Sequence, residues 1–312
     1  MELKLGTRAS KLALWQANWT KRQLEQRAGH SVEIVEISTQ GDRDQAEIQN
    51  IGAQGLFTKE IQKALLAKEV DLAVHSLKDL PTDKIEGLKL AAVPVRARVN
   101  DVLIAPGYES IHDLPQGAKI GTSSLRRQAQ LLHFFPDFQP VPIRGNVETR
   151  LEKVETDDYD AIVLAAAGLD RLQLFNDEKH MIMPLELVLP AVGQGALGIE
   201  SRDEPEILEA LAAIDYPQLH AAVIAERAML AKLEGGCLAP IAAFAHFQEP
   251  TEFTISARVL DAKGKRMVEA TALLLCDEDF DLHKDSVKLG EGVAEELCTK
   301  DALKLIASSR AE

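Results

Sequence analysis

Three things are scarce in this sequence: cysteine, long apolar runs and positive charge. Cys237, Cys276 and Cys298 are the only cysteines in 312 residues. An odd, irregularly spaced set of thiols does not make a disulfide framework, so a reducing, cytoplasmic setting is expected. The apolar runs, such as AIVLAAAGL at 161–169, are far too short to cross a bilayer. The first residues, MELKLGTRAS, lack the apolar stretch of a signal peptide and read directly as a strand. Lys and Arg number 35 against 49 Asp and Glu, a net charge of −14. That balance argues against bulk attraction to nucleic acid or to an anionic membrane, though not against local cationic patches. The eight histidines form no H-x-x-x-H or Cys/His cluster, so no metal site is expected.

What is present is a soluble globular composition, 46% hydrophobic and 27% charged, in a chain long enough for two or three domains. The first two hundred residues alternate strand and helix signals, the pattern of α/β layers around a largely parallel sheet. ELKLGT, SVEIVEIS, DLAVHS and GLKLAAVPV read as strands, with SKLALWQANWTKRQLEQRA and GLFTKEIQKALLAKE as helices between them. Near residue 100 a second unit begins and repeats the pattern with AKIGT, SSLRRQAQLLHFF, FQPVPI, NVETRLEKVET and YDAIVLAAAGLDRL. The units open alike, Lys4-Leu5-Gly6-Thr7 in one and Lys119-Ile120-Gly121-Thr122 in the other. Two similar lobes are the economical reading, with crossings near 95–100 and 189–195. After about residue 215 come a helix, three strand-like runs and a helical tail, a smaller α+β domain.

In parallel α/β sheets, ligands bind at the carboxyl ends of strands, where helix N-termini aim N–H groups at anions. The segments that follow the strands here supply Arg8, Ser10 and Lys11; His75, Ser76, Lys78 and Asp79; Thr122, Ser123, Ser124, Arg126 and Arg127; and Arg144, Asn146 and Arg150. Arg171 follows the next helix. Any one of these arginines could be a surface salt-bridge partner in so acidic a chain. Several at matching strand ends point instead to a ligand with several negative charges, because a guanidinium binds carboxylate or phosphate bidentately. Loss of Arg126 or Arg127 is expected to abolish ligand capture and leave the fold intact. Asp79 is the lone carboxylate of the group. It could partner Lys78, stabilise developing positive charge or move a proton.

Two glycine motifs need separate readings. GQGALG at 193–198 has the spacing of a dinucleotide fingerprint, but Pro190 precedes it and a strand and loop follow, so it lacks the required strand-to-helix context. In LEGGCLAP, at 233–240, the helical segment ends at Glu234 and Cys237 lies on the turn beyond Gly235 and Gly236. That thiol is either a half-buried group behind a helix C-cap or a reactive, covalently loaded one.

Eight segments in order carry a family resemblance: GTRASKLALWQ (6–16), GLFTKE (55–60), VHSLKDLP (74–81), GTSSLRR (121–127), IRGNVETR (143–150), AAAGLDRL (165–172), PAVGQGALGIE (190–200) and GGCLAPI (235–241). Together they run nearly end to end, and the chain resembles the porphobilinogen deaminase (hydroxymethylbilane synthase) family. The resemblance implies two lobes like those of periplasmic binding proteins: 1–97 with 194–214, and 98–193. A C-terminal domain of 215–312 would carry the key cysteine. It implies a transferase that joins four porphobilinogen molecules into the linear tetrapyrrole hydroxymethylbilane, releasing ammonia. The growing chain would sit on a dipyrromethane cofactor bound by a thioether to Cys237. Arg8, Arg126, Arg127, Arg144, Arg150 and Arg171 would bind the acetates and propionates, with Lys78, Ser10 and Ser124 beside them. Asp79 would stabilise positive charge on a pyrrole as ammonia leaves and the azafulvene forms. Lys11, Phe57, His75, Ser76, Thr122, Ser123, Asn146 and Gln194 are further candidates by their places in the motifs. A monomer is implied, with product passing to uroporphyrinogen-III synthase. One departure is Gln54, with Asn50 before it, where the bacterial family commonly has a basic loop motif. The competing class is a two-lobed anion-binding protein without chemistry, against which the third domain and the Gly-Gly-Cys turn count.

Overall fold

The computed structural model describes residues 1–38, 58–156, 159–234 and 239–310. The first lobe is built from β1 (Glu2–Thr7), α1 (Lys11–Arg27), β2 (Ser31–Glu36), α2 (Lys59–Leu66), β3 (Leu72–Ser76) and β4 (Leu88–Ala92). The second takes β5 (Asp101–Ile104), β6 (Lys119–Gly121), α3 (Leu125–Phe134), β7 (Gln139–Val141), α4 (Val147–Val154), β8 (Ala161–Ala165), α5 (Ala166–Arg171) and β9 (His180–Ile182). The chain then returns to the first lobe with β10 (Leu197–Arg202) and α6 (Pro205–Ala212).

Among the described residues each lobe has a five-stranded sheet, ordered β2-β1-β3-β10-β4 in one and β7-β6-β8-β5-β9 in the other. The expected parallel arrangement holds except at the fourth position of each. There β10 runs antiparallel to β3 and β4, and β5 runs antiparallel to β8 and β9. The reason lies in the connections. Each of these strands arrives directly from the other lobe, entering at the end where the parallel strands finish, and so runs the opposite way.

The two crossing segments pair with each other. Arg96 bridges Ala196, the Ala97 N–H donates to the Gly195 carbonyl at 3.0 Å, and the Leu197 N–H to that of Val95 at 3.2 Å. Gly195 adopts φ +84°, and a Cβ there would lie 2.6 Å from the Ala97 oxygen. Only glycine satisfies both conditions. Gly195 of GQGALG thus serves the close approach of the two crossings, while Gly193 and Gly198 make room for Leu77.

The third domain holds α7 (Pro217–Lys232), β11 (Ile241–Glu249), β12 (Glu252–Leu260), β13 (Met267–Leu275), α8 (Lys284–Thr299) and α9 (Ala302–Arg310). Its antiparallel sheet, ordered β11-β12-β13, packs on α7 and α8 around Phe253, Ile255, Val259, Met229 and Leu297. Phe253 is fully buried and stacks on Phe247, with ring centroids 4.3 Å apart. Such side chains each contribute about 1.5–3 kcal/mol by leaving water. Helix α7 ends at Lys232, two residues before the sequence suggests, because Glu234 itself takes the left-handed conformation at φ +50°. Cys276 and Cys298 pack half-buried against this core, and burial raises the Cys276 thiol above its ordinary pKa.

Candidate active site

The anticipated cations stand at the carboxyl ends of the parallel strands of both sheets, facing across the cleft. In the first lobe Arg8 follows β1, and Ser10 caps α1 by accepting the Ala13 N–H at 3.3 Å. A 3-10 turn at Leu77–Asp79 continues β3 and carries Lys78, half-buried, and Asp79, exposed. Arg8, Ser10, His75, Ser76 and Asp79 line one cavity of about 80 Å³ together with Gln16 and Thr58.

In the second lobe the β6–α3 junction supplies the central pair. Arg126 and Arg127 occupy the first turn of α3 and are both buried. Each donates one Nη to a carboxylate oxygen of Asp101, at 2.7 Å, and the other to a backbone carbonyl, that of Leu189 or Val163. Burial alone would raise the Asp101 carboxyl; the Arg126 and Arg127 charges overcome it and hold the group well below the usual carboxylate range. The Nε atoms of both arginines are buried without a hydrogen-bond partner. Arg144, exposed, and Arg150, half-buried, follow β7. Asn146 caps α4 between them by accepting the Thr149 N–H at 2.9 Å.

Mutual electrostatic influence shows which groups the fold brings together. Burial pushes the Lys78 ammonium down to about 8; Asp79 and Asp101 oppose the shift, while Arg127 and Arg126 add to it. Arg150 is lowered by burial, then by Arg127 and Arg144, against the pull of Asp79. Lys78 and Asp79 of the first lobe therefore share one field with Arg126, Arg127, Arg144 and Arg150 of the second. Cations pressed together in a partly dry crevice lack anionic charge, and a ligand carrying several carboxylates supplies it.

Other anticipated residues have internal partners. Arg171 is buried, donates to the Gly195 carbonyl at 2.6 Å and lies 5.7 Å from the Trp15 ring centre; burial lowers it to about 10. Lys11 reaches over the cleft mouth to Glu148 at 2.8 Å. His75 Nε2 lies 2.9 Å from buried Glu200, off the line of a good hydrogen bond, and Ser76 accepts from Gln16 at 2.6 Å. Ser123 bonds the Ile143 backbone on both sides, and Thr122 accepts the Ser124 N–H. Gln194 donates to Asp101 and to the Val99 carbonyl. Cys237, Phe57, Gln54 and Asn50 lie outside the described residues. Among the described residues no group of three or more His, Cys, Asp or Glu side chains could hold a metal ion, and no helix is long and apolar enough to cross a membrane.

Sequence reasoning missed Asp101, whose only signal is an acid opening the apolar strand DVLI. It also missed Gln16, inside α1, and the pair Arg96–Glu226 at the crossing. Nothing in the local spacing marks Arg96 or Glu226, and Gln16 stands out only as the last residue of the segment GTRASKLALWQ.

A family model described as "Porphobilinogen deaminase, dipyromethane cofactor binding domain" matches residues 3–210, and one described as "Porphobilinogen deaminase, C-terminal domain" matches 220–299. The chain belongs to the porphobilinogen deaminase family. The porphobilinogen deaminase of Geobacter metallireducens is 46% identical over 312 residues, 98% of this chain and 94% of the relative. That of Desulforudis audaxviator is 50% identical over 272 residues, 86% of this chain and 87% of the relative. Among solved structures, a nutrient binding protein from Burkholderia cenocepacia bound to methionine matches with a TM-score of 0.43 and 17% identity, covering 74% of this chain and 95% of its own. Family membership makes the chain a transferase of tetrapyrrole biosynthesis, a hydroxymethylbilane synthase, and makes dipyrromethane its cofactor. It sets aside the reading as a binding protein without chemistry. The cleft fits that group: the cations in mutual repulsion and the orphaned Nε atoms of Arg126 and Arg127 suit a ligand bearing several carboxylates.

Proposed function

We propose that this chain deaminates porphobilinogen and joins four molecules of it, stepwise, on a dipyrromethane held by Cys237, releasing ammonia and hydroxymethylbilane. The observation that carries the reading is the single electrostatic field in which Asp79 and Lys78 of one lobe face Arg126, Arg127, Arg144 and Arg150 of the other. The bound cofactor supplies a tethered pyrrole to which substrate is added. The second-lobe arginines and Lys78 bind acetate and propionate groups, taking charge out of water only where a countercharge waits. Arg8 and Ser10, on the cavity they share with Asp79, orient the incoming ring. The Asp79 carboxylate stabilises positive charge as it develops on the reacting pyrrole and accepts or returns the proton there.

Lobe boundaries at 1–97 with 194–214, 98–193 and 215–312 belong to the same reading. So do a monomeric state, a cytoplasmic setting and transfer of the product to uroporphyrinogen-III synthase. The scarce, scattered thiols support the setting.

Intact-mass spectrometry tests the reading. The purified chain is expected to exceed its sequence mass by two pyrrole units and to gain more on brief exposure to porphobilinogen. A peptide digest should map the adduct to Cys237, and Cys237→Ala should fold, carry no adduct and release no ammonia. An adduct on Cys276 or Cys298, or none on the wild type, would refute it.

A further inference from the structure

Asp101 is completely buried, yet it belongs to neither the cation set nor the reacting carboxylate. It opens β5, the first residue of the second lobe's sheet after the crossing, and its two oxygens receive one Nη each from Arg126 and Arg127. A third donor comes from the returning crossing, where Gln194 Nε2 reaches the same carboxylate at 2.9 Å and the Val99 carbonyl at 2.7 Å. One side chain therefore ties the arginine pair to both segments that connect the lobes.

The arrangement addresses a physical problem. Two guanidiniums side by side in a buried place repel each other, and each loses hydration. A carboxylate between them neutralises one charge and fixes both planes, leaving one net positive charge for a ligand. It occupies only one Nη of each arginine, while both Nε atoms stay buried without partners. Donors so held are preorganised for an anion, because no further ordering is required when it binds.

Resting on the reading above, we propose that Asp101 is the positioning residue of the anion site: it holds Arg126 and Arg127 with their Nε edges unengaged and couples their placement, through Gln194, to the crossing between the lobes. Its influence also extends to the opposite lobe, where its charge helps keep the Lys78 ammonium protonated.

The test uses full-length chains. Asp101→Asn keeps the shape but turns an amide N–H toward one guanidinium and removes the charge. Cofactor loading from added hydroxymethylbilane, followed by intact mass, is expected to slow at least about tenfold, as loss of one charged contact predicts. In a Cys237→Ala background, labelling of Lys78 by trinitrobenzenesulfonate, resolved by peptide mass, should have its midpoint at lower pH than without the Asp101 change. Gln194→Leu keeps the Asp101 charge but removes the third donor to it, so cofactor loading should still slow while the midpoint holds, and it serves if Asp101→Asn does not fold. Wild-type loading together with an unmoved midpoint in Asp101→Asn would overturn the proposal, as would wild-type loading in Gln194→Leu. A wild-type chain without any adduct would overturn the functional reading, while the labelling result would still decide the role of Asp101.

Discussion

Arg96 and Glu226 form a bidentate ion pair, at 2.7 and 3.1 Å, where the lobe crossing meets the third domain. Glu226 is fully buried and also accepts the N–H groups of Gly193 at 2.7 Å and Ala245 at 2.8 Å. Arg96 donates in turn to the Gln194 carbonyl and lies 5.0 Å from the Phe244 ring centre. One carboxylate thus joins α7, the crossing and β11. Glu226→Ala leaves the Arg96 charge without its carboxylate and two amides without an acceptor in the interior, a loss of about 3–5 kcal/mol. Urea unfolding should show this as a lower midpoint. A midpoint like that of the wild type would mean that water or a local shift satisfies these groups.

Arg126 and Arg144 should differ sharply in what their removal does. Arg126 is one of the two charges that neutralise buried Asp101, so Arg126→Ala should cost about 3–5 kcal/mol of stability as well as anion capture. This revises the expectation of an intact fold, because the internal carboxylate partner is invisible in the sequence. Arg144 is exposed. Arg144→Ala should leave the melting temperature within a degree or so of wild type and weaken substrate capture alone. Arg266, 60% exposed on its side chain, is the control with no expected effect on activity. Equal loss of stability in Arg126→Ala and Arg144→Ala would contradict this distinction.

Lys78 should impart a pH dependence with a definite sign. Burial lowers its pKa from 10.5 to about 8, so without ligand the unfolded chain binds the proton more tightly than the folded one. The resulting destabilisation is complete below pH 8 and fades as pH rises through 8 towards 10.5, so stability from this group increases across that window. Anion capture runs the other way, since only the ammonium attracts carboxylate, and it should weaken as pH rises through about 8. Lys78→Gln should remove the inflection near that pH from the KM profile for porphobilinogen. Survival of the inflection in Lys78→Gln would assign it to another group.

Asp79→Asn should separate binding from chemistry. The asparagine keeps the size and one acceptor oxygen but holds no charge beside a cationic pyrrole. Losing such stabilisation typically costs about 3–4 kcal/mol, or two to three orders of magnitude in rate. The arginines remain, so a cofactor installed from preformed tetrapyrrole should still load. Ammonia release measured on the loaded variant decides the matter, and near-wild-type turnover would leave Asp79 as a partner of Lys78 alone.

The sequence by itself determined the order of the elements, the two similar α/β lobes and the clustering of cations at strand ends. Strand and helix periodicities are local, and a residue that follows a parallel strand lies at its carboxyl end whatever the strand packs against. Arg8, Lys78, Asp79, Arg127 and Arg150 were legible for that reason. The tertiary structure alone decided which strands run antiparallel, since β5 and β10 take their direction from the crossings. It alone made Asp101 the carboxylate beneath the arginine pair and Glu226 the joint of the crossing, 130 residues along the chain from its partner Arg96. A buried charge is tolerated only where donors from distant segments converge on it, and that convergence is a property of packing, with no trace in local spacing.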